Sequence, residues 1–232
     1  MDAATYDALR IWDTDDPRSM ININDPDFQH SSDDGGYTLP AAVTLRAAGV
    51  PVGTVTPTVL ADCRAFPGAA HHIWTYVPAQ YDGSSPANLM VWLDGGGFAG
   101  YRRDESSGEY VVSSDSEWSV PIVLDNMIAA GDIPPTIAVF VTPGQNDAFN
   151  AANPKTNQRS VEYDTVSDLN SAFLLEEVLA PIEAEYRITT DPARRCVCGL
   201  SSGGIAAFSV GWFATARFGC VISWIGSFTN IR

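Results

Sequence analysis

Arg195-Cys196-Val197-Cys198-Gly199-Leu200-Ser201-Ser202-Gly203-Gly204-Ile205-Ala206-Ala207-Phe208 runs from an apolar stretch, through a turn of glycine and serine, into a small-residue segment that suits a helix. Its centre, Gly199 to Gly203, matches the pattern G-x-S-x-G. Five such residues are common by chance. The strand before them and the helix after them are the setting that a nucleophile elbow requires. In so tight a bend the residues two before and two after the serine must be small. The Ser201 hydroxyl is raised above the sheet at a helix N-terminus, where free N–H groups and the helix dipole favour developing negative charge. The N–H of Ser202 is then one oxyanion donor. The plainer alternative is a glycine turn that only packs a helix closely on a strand.

Outward from this stretch the chain alternates strand and helix. Leu89 to Leu93 and Ile137 to Val141 are short and wholly apolar, and Cys220 to Ile225 is apolar but for Ser223, as strands buried on both faces of a parallel sheet are. Val55 to Leu60 and His72 to Pro78 are rich in β-formers, with Pro67-Gly68 between them, and predict a hairpin. Helices are expected over Val120 to Ala130, stopped by Gly131, over Asp164 to Tyr186, and over Ser202 to Phe213. In the second, Leu175, Leu179, Ile182 and Tyr186 form an apolar stripe, and Pro181 should kink it. Two strands followed by β-α-β-α-β-α-β predict a three-layer α/β sandwich: a mostly parallel central sheet with an antiparallel N-terminal hairpin. Asp94-Gly95-Gly96-Gly97-Phe98 closes the third strand. Its glycines would let backbone N–H groups approach a carbonyl, and Gly96 or Gly97 is the candidate second oxyanion donor. A plain loop is the alternative.

The 232 residues carry 13 Lys and Arg against 28 Asp and Glu, a net charge of −15. That balance excludes a phosphate-neutralising surface, so neither nucleic acid nor an anionic membrane is an expected partner. Residues 1–48 are acidic and turn-rich and read as an arm; residues 49–232 read as the folded domain. None of the acidic clusters of the arm has alternating ligands followed by the glycine and distant glutamate of an EF-hand loop. The N-terminus lacks the basic start and apolar core of a signal peptide, and 196–216 reads as strand, turn and helix, not as a membrane span, so a cytoplasmic location is expected. Cys63, Cys196, Cys198 and Cys220 have no zinc-site spacing and are expected to be buried free thiols, with no metal bound.

The chain resembles the esterases of the enterochelin-esterase type within the α/β-hydrolase superfamily. The resemblance rests on Val77 to Tyr81, Leu89 to Gly95, Val123 to Ile128, Arg159 to Asp164, Thr189 to Pro192, Cys198 to Phe208 and Ser223 to Phe228. It implies hydrolysis of a small-molecule carboxylic ester, siderophore or otherwise bulky, through an acyl-enzyme on Ser201 without a cofactor. The same serine would also serve acyl transfer to another acceptor. Phe98, Arg159, Glu162 and Tyr163 are candidate substrate-binding residues, because loops at the carboxyl ends of parallel strands face the pocket. Arg159 with Glu162 is expected to form an ion pair, Asp164 to cap the long helix, and Trp118 in loop 101–119 to wall the pocket.

The pattern departs from the family where the reaction needs a base. After Ser201 the sequence holds no His, Asp or Glu, although in this fold acid and base follow the nucleophile. His71 and His72 open a strand, point to opposite faces and are expected at a surface or edge; His30 lies in the arm. The leading expectation is a fragment of a longer esterase that lacks the last strands, with an exposed edge at Cys220 to Ile225 prone to self-association. The alternative is a catalytically inactive ligand-binding or interaction module of the same fold.

Overall fold

The computed structural model describes residues 45–113, 119–153 and 156–228; most of the expected arm and Trp118 lie outside them. Eight strands are described: β1 (Thr54–Leu60), β2 (His71–Val77), β3 (Asn88–Leu93), β4 (Tyr101–Arg103), β5 (Tyr110–Val112), β6 (Thr136–Val141), β7 (Arg195–Leu200) and β8 (Cys220–Trp224). Six of them form one sheet in the order β1-β2-β6-β3-β7-β8. The β1–β2 hairpin and the β2–β6 pair are antiparallel, and the β6–β3, β3–β7 and β7–β8 pairs are parallel. The sheet is therefore mixed, with its parallel part running from β6 to the β8 edge.

Side chains alternate across the sheet into two cores, which is what period-two strands require when both faces are covered. Leu89, Val91, Val139, Val141 and Val197 pack on one face with Phe173, Leu174, Leu179 and Val210. Trp92, Ala138, Phe140, Cys196 and Cys198 pack on the other with Leu124 and Ile128. The helices described are α1 (Gly95–Phe98), α2 (Val120–Ala130), α3 (Asp147–Ala152), α4 (Gln158–Tyr163), α5 (Leu169–Ala172), α6 (Leu179–Glu185) and α7 (Ser202–Phe213), of which α3 buries no residue. Helix α2 ends on Gly131 in the left-handed region, φ 79°, as expected. Its buried Asp125 accepts hydrogen bonds from Arg46, the Gly53 N–H and the Tyr76 hydroxyl. No described helix is long and apolar enough to cross a membrane.

The long helix differs from its prediction. It begins at Leu169, and Phe173–Val178 is a π-helical stretch joining α5 to α6. Pro181 lacks the N–H that would bond one turn back. The widened turns lie just before it, so the helix changes register there and continues without breaking. Asp164 follows the last turn of α4 and does not cap the long helix. Asn157 instead starts α4, its side chain accepting the Ser160 N–H. Loop 101–119 contains the β4–β5 ribbon, closed by Asp104, whose carboxylate accepts from Ser106 and Ser107 and is held down at about 2.

Candidate active site

Strand β7 ends at Leu200 and α7 starts at Ser202, so Ser201 is the whole connection. It sits at φ 56°, ψ −122°, a conformation that a residue with a β-carbon rarely adopts. The bend brings the two flanking glycines together: a β-carbon on Gly199 would lie 2.1 Å from the carbonyl oxygen of Gly203. The neighbouring edge strand holds the turn from behind. The Ser201 N–H donates to the Trp224 carbonyl at 2.9 Å, and the Ser223 hydroxyl donates to the Gly204 carbonyl at 2.8 Å. Ser201 is exposed. The Ser202 N–H, in the first turn of α7, has no acceptor within the helix.

Strand β3 lies beside β7, so its carboxyl end meets the elbow. Asp94 there is left-handed, φ 57° and ψ 34°. Its carboxylate is gripped by both prongs of Arg159, at 2.8 and 2.7 Å. Its N–H donates to the Tyr163 hydroxyl at 3.2 Å, and that hydroxyl donates to the Val141 carbonyl at 3.4 Å. The same carboxylate lies 2.7 Å from where a β-carbon on Gly203 would stand. Asp94 thereby ties the glycine run to the elbow. Gly95 must be glycine, because a β-carbon would lie 2.2 Å from the Val141 nitrogen on β6. Gly95, Gly96 and Gly97 form the first turn of α1, whose N–H groups have no acceptor within the helix. Gly96 and Gly97 line a cavity of about 300 Å³ with Asp94, Tyr101, Tyr110 and Thr142.

The predicted residues divide into those at this surface and those beneath it. Ser201, Ser202, Gly96, Gly97, Phe98 and Arg159 lie around the carboxyl ends of β3 and β7. Phe98 is half-buried, its ring 4.9 Å from Trp92 and 6.3 Å from Trp224. Those rings form an aromatic wall beside the elbow, since Trp224 is paired with Leu200. Glu162 and Tyr163 are buried, each 2% exposed, and so support the loop from below, out of a substrate's reach. The expected Arg159–Glu162 ion pair is absent, because Arg159 takes Asp94. Glu162 accepts from His71, Gln158 and the Gly144 N–H. His71 is accordingly in the interior and not at a surface or edge. His72 faces the other side, as predicted, half-buried against Tyr110 at 4.6 Å, and burial pushes its imidazole pKa down. Strand β2 is three strands from β7, roughly 14 Å, which puts His72 beyond reach of Ser201. In the sequence Asp94 is only the residue before the glycines. A lone Asp ahead of a glycine run, where a left-handed residue fits, is the only signal that could have marked it.

Among the described residues no cluster of His, Cys, Asp or Glu could hold a metal ion. What the arrangement offers is an exposed serine at a helix N-terminus, whose first-turn N–H groups have no acceptor within the helix.

The family model described as "Putative esterase" matches residues 66–228. Among solved structures, the chain is similar to the enterobactin esterase from Shigella flexneri, in the presence of enterobactin. The identity is 19% and the TM-score 0.61, covering 84% of this chain and 42% of that one. It is also similar to the ferric enterobactin esterase from Salmonella typhimurium, at 21% identity and TM-score 0.54, covering 75% and 37%. A ferulic acid esterase from the anaerobic fungus Anaeromyces mucronatus matches at 18% identity and TM-score 0.56, covering 82% of this chain and 65% of that one. The chain thus spans about two-fifths of the length of the enterobactin esterases it matches.

Proposed function

The chain belongs to the esterase family whose model spans residues 66–228, and on that premise we propose that it carries the nucleophile and oxyanion half of a serine carboxylesterase. The observation that carries the reading is Ser201 itself: exposed, at φ 56°, and alone between a core strand and its helix. The Ser201 oxygen attacks the ester carbonyl while its proton passes to a base. The N–H groups of Ser202 and of Gly96 or Gly97 hold the oxyanion. The alkoxide leaves with a proton, and water then frees the acyl group from Ser201. Arg159 acts through Asp94, fixing the glycine loop against the elbow.

The reaction needs a proton acceptor, and none of the described residues brings one to Ser201. The full reaction needs a base that takes the Ser201 proton and an acidic group that orients that base. Without them the rate falls by about 10⁴- to 10⁶-fold, because triad members act as a unit. The aromatic wall of Phe98 and Trp224 supports an ester with an aromatic acyl group. The similar structures are those of an enterobactin esterase and a ferulic acid esterase. The charge of −15 fits a small-molecule substrate better than a nucleic acid.

The test is a fluorophosphonate probe, with and without imidazole as a diffusible base. The expected result is a slow adduct mapped to Ser201, faster with imidazole and absent in Ser201→Ala. No adduct under either condition would overturn the hydrolase reading and leave a ligand-binding module of the same fold.

A further inference from the structure

Three of the four cysteines meet at the β7–β8 junction, on the sheet face opposite the long helix. Cys196 and Cys198 are two apart on β7 and so share a face, with their sulfurs 3.7 Å apart. Cys220 is the register partner of Cys196 on β8, so its side chain leaves the same face. Cys198 is fully buried, Cys196 is 8% exposed, and Cys220 is exposed. Hydrogen bonding from the Cys198 thiol, helped by the Cys220 thiol and opposed by burial, lowers the Cys196 pKa to about 7. Its thiolate is therefore available near neutral pH, and the thiolate is the reactive form.

Two pairings compete for Cys196. Alternate residues of an extended strand are about 6.6 Å apart, at the limit of what a disulfide spans; adjacent strands are about 4.8 Å apart, well within it. Only the second route reaches solvent. We propose that Cys196 and Cys220 form a reversible disulfide under a peroxide oxidant, a latch that clasps edge strand β8 to β7. The Cys196 thiolate attacks one peroxide oxygen and the O–O bond breaks. The departing hydroxide takes a proton to become water, leaving Cys196 as a sulfenic acid. The Cys220 thiol loses its proton and attacks the Cys196 sulfur, and the S–O bond breaks to release a second water. The two thiols lose two electrons, which the peroxide gains. The latch matters to the elbow because β8 supplies the Trp224 carbonyl that holds the Ser201 N–H and the Ser223 hydroxyl that holds Gly204.

The experiment is intact-mass and peptide mapping of the chain after hydrogen peroxide, then after dithiothreitol. Wild type should lose two hydrogen atoms, yield a linked Cys196–Cys220 peptide pair and recover its mass on reduction. Cys220→Ser, at an exposed position that leaves the fold intact by circular dichroism, should not lose them. The oxidised form should melt higher than the reduced form. The proposal is overturned by a bridge mapped to Cys198, by loss of two hydrogens that persists in Cys220→Ser, by oxygen addition without a bridge, or by no change in mass.

Discussion

Ser201 holds a backbone conformation that costs of order 1–3 kcal/mol, and it persists because Gly199, Gly203 and Gly204 leave no room for another path. A β-carbon on Gly199 would stand 2.1 Å from the Gly203 carbonyl oxygen, and one on Gly204 would stand 2.8 Å from the Ser223 hydroxyl. The first obstacle is backbone and cannot yield cheaply; the second is a side-chain hydroxyl, with the Trp224 carbonyl oxygen behind it at 3.0 Å. Gly199→Ala should destabilise the chain by about 1–3 kcal/mol. In a domain of this size that lowers the melting temperature by roughly 2–4 °C per kcal/mol, and it should remove fluorophosphonate labelling as well. Gly97→Ala is the contrast. Nothing lies within 4 Å of its added β-carbon, so its stability should stay within about 0.5 kcal/mol of wild type. Equal losses from the two substitutions, measured by thermal melting, would contradict a bend held by glycine contacts.

At the scale of elements, two carboxylates join segments distant in sequence. Asp125 on α2 binds Arg46, Gly53 and Tyr76. Asp125→Ala strands a guanidinium and a buried phenol, and should cost about 3 kcal/mol or more by urea denaturation. Glu177, in the π-helical stretch, accepts the N–H groups of Arg64 and Ala65. Burial pushes its carboxyl up, but those N–H groups, with the Arg64 guanidinium and the Cys63 thiol, hold it net below the usual range. A carboxyl with a depressed folded pKa stabilises above its unfolded value, about 4.3, and loses that contribution as pH falls through the folded one. Wild type should therefore exceed Glu177→Gln in melting temperature at pH 7 and converge on it only as pH falls through the depressed folded value. A gap unchanged with pH would refute this role. Such long-range bonds explain what was legible in the sequence and what was not. Strands β3, β6 and β7 were readable as apolar runs, because burial on both faces leaves a local imprint; β8 is mostly apolar too, yet lies half-exposed at the sheet edge. The sharp bend at Ser201 was readable because the glycines that allow it lie within six residues of one another. The pairing of His71 with Glu162, 91 residues apart, leaves no local trace, and neither does the preference of Arg159 for Asp94. Pro181 signalled a break in the helix, but the widened turns before it absorbed the missing hydrogen bond.

For the whole molecule the decisive feature is an uneven surface. The hairpin edge of the sheet ends in β1, whereas the opposite edge is β8, with Val221, Trp224 and Ile225 exposed. Next to it α7 presents Phe208, Trp212 and Phe213, which with Phe228 line an apolar groove of about 250 Å³. An edge strand offers unpaired N–H and C=O groups as a template for another strand. Contiguous exposed aromatics favour covering that edge over leaving it in water. A second copy of this chain carries the same edge and the same groove, so a two-fold pairing of β8 with β8 would bury both at once. Opposing this is the charge of −15, whose repulsion weakens as salt is added. The 232-residue chain should therefore associate across the micromolar range, more strongly at high salt than at low salt. Trp212→Lys combined with Ile225→Lys should hold it monomeric. Sedimentation velocity over a concentration and salt series decides the matter: a single monomer boundary for wild type throughout would show that β8 and α7 do not recruit a second chain.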